Sequence, residues 1–209
     1  MGKIFDYNSS FFAGISRVSD TIILNFLFVV CSIPIVTIGA SATALYSVSM
    51  KSTRDEDVYA AKEFFKQFKQ NFKESTAIWL ILLLVAAFIG LDFYMCSLMS
   101  NNMLSTAFKF IFTVVSIVIG FVFVYAFPLV ARFENSVKNT LMNAILMSIK
   151  HLPYTLIMLV LTLMPIAGFG LFSQYWGQIV FLDTCISFGV VAYMNSMLLN
   201  KIFNQYIEE

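Results

Sequence analysis

Three ionisable side chains stand within or beside long apolar runs of this sequence, and chemistry is sought there first: Asp92, Lys109 and Asp183. A charge at the centre of a membrane-spanning helix costs about 2.5–3.5 kcal/mol on insertion scales, so such residues are default candidates for function. Near helix ends they suit a polar mouth for a solute, a cation or a partner, with Lys109 paired to one carboxylate. The alternative is three interfacial side chains that each reach separately for water. His151, the only histidine, stands beside Lys150 and before Leu152-Pro153, where it fits a helix cap better than a metal site or a catalytic triad. Cys31, Cys96 and Cys185 are odd in number and widely spaced inside apolar runs, which suggests packing rather than disulfides or metal. With no nucleotide-binding glycine loop, zinc-protease helix or nucleophile elbow, no catalytic residue, cofactor or metal is assigned and no enzyme is expected.

The elements that must position these groups are apolar helices. Hydrophobic residues make up 59% of the 209-residue chain and charged residues 12%, about half the charge of an ordinary soluble domain. Mean hydropathy is +0.83. Lipid is therefore the expected solvent, and a net charge of +1 offers no field for nucleic acid. Long apolar segments fall at about 21–50, 76–98, 107–131, 153–175 and 179–200. The first is about 45 Å long as one helix, against a hydrocarbon core of about 30 Å. Pro34 breaks it by removing a backbone donor and clashing with the preceding turn, and Gly39 adds freedom. Ser32 to Gly39 then reads as a turn between helices at about 12–33 and 40–52, with Ser32 and Thr37 hydroxyls available for the freed carbonyls. The residues Pro34, Thr37 and Gly39 mark this break, which also offers a binding position. The competing description is one kinked, tilted helix.

Lys and Arg in short connections mark the cytoplasmic side. Residues 51–75 and 132–152 are basic, whereas the connections near 99–106 and 176–178 carry no basic residue. The basic loops and the tail at Lys201 are accordingly expected in the cytoplasm. Lys3 and Arg17 pull the N-terminus the same way only weakly. No cleaved signal peptide or myristoylation site is expected.

In the first basic loop Val58, Ala61, Phe65, Phe68 and Phe72 recur at helical spacing, with Lys62, Lys66, Lys69 and Lys73 on another stripe. This is an amphipathic helix suited to an anionic inner leaflet or to a cytoplasmic partner. At an offset of 80 residues, Phe65, Phe72, Gly90 and Leu91 align with Ile145, Leu152, Gly170 and Leu171, which suggests a parallel internal repeat. Asn25, Asn195 and Asn200 need hydrogen-bond partners in apolar surroundings, commonly across helices. Ala40, Ser41, Ala42, Thr43 and Ala44 permit close helix approach. Trp79, Tyr94, Tyr154, Tyr175 and Trp176 suit an interfacial belt.

Phe11-Phe12, Asn25-Phe26-Leu27, the Pro34-Ile35-Val36-Thr37-Ile38-Gly39 turn with Ala44-Leu45, and the Phe68-Lys69-Gln70-Asn71-Phe72-Lys73 run together resemble the YesL family of small bacterial membrane proteins. Phe64-Phe65, Asn143-Ala144 and Lys150-His151-Leu152-Pro153 extend the likeness over nearly the whole chain. The resemblance implies a bacterial cytoplasmic membrane protein without an assigned activity, encoded near carbohydrate importers and glycan-degrading enzymes, and it brings no catalytic residues.

The expectation is therefore one integral membrane domain, residues 1–209, an all-α polytopic bundle of five or six spans with cytoplasmic amphipathic helices. Its partners are the lipid bilayer and a carbohydrate importer, to whose uptake it is accessory. The alternative function is a small solute transporter or channel in its own right.

Overall fold

The computed structural model describes residues 10–54, 56, 59–98, 103–171 and 173–207. Among them the regular structure is helical throughout: α1 Ser10–Cys31, α2 Ile38–Ser52, α3 Ala60–Gln70, α4 Phe72–Leu98, α5 Met103–Arg132, α6 Val137–Lys150, α7 Leu152–Leu171, α8 Trp176–Leu182 and α9 Phe188–Asn204. A π-helical stretch, Asp183–Ser187, joins α8 to α9, so Trp176–Asn204 is one continuous rod. Three stretches are long and apolar enough to cross a membrane, Phe72–Leu98, Ser105–Arg132 and Trp176–Asn204; a fourth qualifies if α6 and the first part of α7, which meet at 108°, count as one bent span.

The first apolar segment is broken where proline chemistry requires it. Pro34 is extended, at φ −75° and ψ 118°, and a short 3-10 turn, Ile35–Thr37, leads into α2. The expected boundaries shift by two residues, and one description is corrected: this is two helices rather than one kinked helix. The Thr37 hydroxyl lies 2.5 Å from the Cys31 carbonyl oxygen and 2.7 Å from that of Pro34. Ser32 does not share this work, since its hydroxyl is buried without a partner. Trp79 of α4 donates its indole N–H to the Ile35 carbonyl at 2.7 Å.

Helix α2 is the axis of the packing. Gly39 to Leu45 and Ser47 to Met50 are all buried, against α1, α3, α4, α5 and α9. Its small side chains let the neighbours close in. A Cβ on Gly39 would stand 2.4 Å from the Ser75 carbonyl oxygen and 2.6 Å from Trp79 Cβ, and Thr43 Oγ1 lies 2.8 Å from Ser75 Oγ. These α4 positions fall within its first two to three turns, and Phe127, which also meets Gly39, falls near the end of α5. The far end of α2 meets Gln67, Gln70, Asn71 and Arg132. Both ends of α2 therefore sit at the same, basic end of the long helices. The three long apolar stretches bury little: 11% of the apolar stretch in Phe72–Leu98, 28% of that in Ser105–Arg132 and 17% of that in Trp176–Asn204 lie inside the protein.

The 80-residue offset seen in the sequence is carried into the helix boundaries. Ser52 and Arg132, which end α2 and α5, stand 80 residues apart, as do Gln70 and Lys150, which end α3 and α6, and Phe72 and Leu152, which begin α4 and α7. The order of helix end, amphipathic helix, one-residue break and apolar helix thus occurs twice in the same sense. Asn71 and His151 are the corresponding breaks. By this correspondence α2 matches only the final half of α5.

A methyl group at Gly39 must push α4 away from α2, because the obstructing atoms are backbone and Cβ. Gly39→Ala is expected to destabilise the protein by about 1–3 kcal/mol, read as a lower denaturant midpoint in detergent micelles. Gly90→Ala, where no atom lies within 4 Å, should show no loss.

Candidate functional site

Three amides expected to join helices do so, and all reach the Asp183–Asn204 region. Asn25 of α1 is fully buried and donates through Nδ2 to the carbonyls of Asp183 at 3.1 Å and Thr184 at 2.7 Å, while its Oδ1 accepts the Gly189 N–H at 2.8 Å. A π-turn interrupts the regular i to i−4 ladder and leaves backbone groups short of partners. Asn25 supplies both a donor and an acceptor there. Gly189 permits the approach, since a Cβ would stand 2.7 Å from the Thr21 carbonyl oxygen. Asn195 donates to Tyr46 Oη at 3.2 Å and Thr162 Oγ1 at 3.0 Å. Asn200 donates to the Met50 carbonyl at 2.8 Å and to Thr53 Oγ1 at 2.7 Å, closing the end of α2.

Asp92, Lys109 and Asp183 occupy different surroundings. Asp92 and Lys109 are half-buried on the α4–α5 hairpin, whereas Asp183 is buried beside α1. No ion pair joins any two of them among the described residues. Asp183 Oδ2 is buried without a hydrogen-bond partner.

Amphipathic helix α3 packs on the bundle through residues outside its aromatic and basic stripes. Ala60, Phe64 and Gln67 are buried and Phe68 is half-buried, while Phe65, Phe72, Lys66, Lys69 and Lys73 are exposed. Phe64, a residue sequence spacing missed, packs with Leu24, Leu45 and Val48 and stacks on Phe68 at 6.4 Å. Val58 lies outside the described residues. The helix is held to α2 by an ion pair, Lys51 Nζ to Glu63 Oε1 at 2.5 Å.

The feature absent from the sequence reading is a polar cleft at the basic end, about 230 Å³ in volume. It is lined by Ser47, Met50, Lys51 and Arg54 after α2, by Gln67, Gln70 and Asn71 of the α3–α4 break, and by Val130 to Glu134 at the end of α5. Arg54 bonds Glu56 through Nε at 2.7 Å and Asn200 through Nη1 at 3.1 Å. Arg132 is half-buried and has no carboxylate at ion-pair distance among the described residues. On the opposite flank His151 Nε2 lies 3.0 Å from Tyr206 Oη, with Lys150 Nζ 4.7 Å above the Tyr206 ring. Burial, then the Lys150 charge, pushes the His151 imidazole below its ordinary value. Among the described residues no cluster of His, Cys, Asp or Glu is arranged to hold a metal ion.

The geometry defines an all-helical protein with membrane-compatible helices and a cationic cleft at one end. The family model described as "Protein of unknown function, DUF624" matches residues 21–93, from within α1 to within α4. The chain is similar to "Uncharacterized protein YteU" of Bacillus subtilis (strain 168), at 27% identity over 177 residues, covering 82% of this chain and 76% of that protein. No solved structure matches. Both likenesses lead to proteins without a described activity.

The hydrogen bond from Lys51 holds the Glu63 carboxyl below its ordinary 4.5, against an opposing push from burial. A carboxyl depressed in the folded state stabilises it above the unfolded value and loses that contribution as pH falls through the folded one. Acidification below about pH 4.5 is therefore expected to release α3 from α2, seen as faster proteolysis between Lys62 and Lys73. Glu63→Gln should show the fast cleavage already at neutral pH and lose the acid dependence.

Proposed function

We propose that the chain is a multi-pass protein of a bacterial cytoplasmic membrane that is accessory to carbohydrate uptake, acting through helix-to-helix contact with an importer. In this reading α4, α5, α7 and the Trp176–Asn204 rod cross the bilayer, and α1, 22 residues long, supplies a fifth crossing. The basic connections and the cleft face the cytoplasm, following the alternation of lysine-rich and bare loops. Helix α2 stays in the inner half, because both its ends meet the basic ends of its neighbours. Five crossings place the N-terminus outside, against the weak pull of Lys3 and Arg17. The sugar-uptake element rests on the resemblance to the YesL family.

The observation that carries the contact reading is a bare notch on α4. Ala86 and Gly90 stand four residues apart on an exposed face, and a Cβ at Gly90 would meet no atom within 4 Å. Small residues at this spacing let a second helix approach closely in lipid, where van der Waals contact and lipid release drive association. Phe65 and Phe72, with Lys66, Lys69 and Lys73, add an exposed surface at the inner leaflet.

A second reading, a small transporter in its own right, draws on the partnerless Asp183 Oδ2 beside the π-turn. Flux of sugars or ions through liposomes holding the purified protein, abolished in Asp183→Asn, would favour it over the accessory role.

Co-purification from native membranes tests the leading reading. The wild-type chain should bring importer subunits with it, and Gly90→Ile, which disturbs nothing inside the fold, should reduce that recovery about tenfold at equal expression, as loss of about 1.4 kcal/mol of contact would do. Recovery of the chain alone, or equal recovery with Gly90→Ile, contradicts it.

A further inference from the structure

We infer that the cleft between the ends of α2, α3 and α5 is a binding site for a phosphate group, carried either by a small soluble ester or by a phospholipid headgroup. The inference does not depend on the accessory role. Its first ground is the uneven satisfaction of the three cations in the lining. Lys51 holds Glu63, and Arg54 holds Glu56 and Asn200. Both carboxylates stand outside the lining. Arg132 has no carboxylate at ion-pair distance among the described residues, and it shares the lining with Arg54. A half-buried guanidinium beside a like charge, without a carboxylate, is unfavourable until an anion arrives.

The second ground is the chemistry of the donors. A guanidinium presents a rigid fork of N–H groups that matches two oxygens of a phosphate at once, and lysine adds a point charge. Gln70 brings a neutral amide to the same wall, whereas both Nδ2 hydrogens of Asn71 are spent on Gln67. Gln67 is committed elsewhere: its Nε2 donates to Glu63 Oε1 at 2.9 Å, and its Oε1 accepts from Asn71 Nδ2 at 3.1 Å. It serves as a brace for Asn71. The cleft, about 230 Å³, admits a phosphate with a small organic body. Glu134, exposed at the lip, opposes an anion and sets a limit on affinity.

The third ground is where the parts come from. The α2 and α5 ends are the two equivalent positions of the 80-residue repeat, and each brings an arginine, Arg54 just beyond α2 and Arg132 as the last residue of α5. Asn200, bonded to the Met50 carbonyl and to Thr53, fixes the first end, and Val130 beside the cleft is buried in the main core. Arg132 is thus placed by a packed helix, and Arg54 by the turn that Asn200 ties to the end of α2.

The test is thermal unfolding of the full purified chain in neutral detergent with inorganic phosphate, at constant ionic strength set with chloride. A saturable rise in midpoint that needs about tenfold more phosphate in Arg132→Gln, and less in Glu134→Gln, supports a soluble phosphate ester. A second arm measures unfolding in vesicles of phosphatidylcholine with and without phosphatidylglycerol. Stabilisation by phosphatidylglycerol that Arg132→Gln removes and Lys138→Gln keeps, without a phosphate effect in detergent, assigns the site to a lipid headgroup. No saturable effect in either arm, or effects equal in wild type and Arg132→Gln, overturns the inference. If Arg132→Gln does not fold, Glu134→Gln decides, because an unchanged midpoint response to both probes overturns it equally.

Discussion

The close approach of α2 to α4 is the contact on which the rest of the structure depends. Gly39 leaves no room for a methyl group between the two backbones, and Thr43 and Ser75 join hydroxyls one turn further on. Without a hydrophobic drive between helices in lipid, such packing and the hydrogen bonds it permits must hold the bundle together. Pro34 allows this by ending α1 before α2 begins, so that α2 can take a direction of its own. The short central helix then gives α1, α3, α5 and α9 a common surface.

Because that surface lies at the basic end, the molecule is unevenly packed. The buried polar contacts follow the same distribution: Asn200 closes the end of α2, Asn195 joins Tyr46 to Thr162, and Thr155 Oγ1 donates to Tyr125 Oη at 3.2 Å. Toward the bare connections the long helices present apolar side chains outward, as Phe88, Phe110 and Phe181 do. A well-packed basic end can hold a polar cleft with fixed walls, while the remaining lengths of the long helices present apolar surface outward. Asn25 bonding the π-turn is the main tie from α1 into the Trp176–Asn204 rod.

Much of the fold was legible because its determinants are local. A proline in an apolar run, a glycine five residues on and a cluster of small residues each state their consequence without knowledge of distant partners, and the break lies within two residues of the expected place. Asn25, Asn195 and Asn200 were legible as helix-joining amides, although a π-turn as the partner of Asn25 left no trace in composition. Phe64, the residue by which α3 packs on α1 and α2, was not singled out because its partners Leu24, Leu45 and Val48 are distant in sequence. The cleft was not legible at all: Arg54, Asn71 and Arg132 come from three elements, and only the tilt of α2 brings them together. Asp92, Lys109 and Asp183 drew attention by their apolar settings; Asp92 and Lys109 share the α4–α5 hairpin, and Asp183 lies beside α1.

The central claim is that α2 lies wholly in the half of the bilayer that faces the basic loops. In a chain with Cys31, Cys96 and Cys185 replaced by serine, single cysteines at Ile35 and at Arg54 mark the two ends of α2. A membrane-impermeant maleimide applied to intact cells should label neither, and applied to inverted vesicles should label the position of Arg54. Labelling at Ile35 from the outside of intact cells would mean that α2 crosses the membrane, which this account forbids.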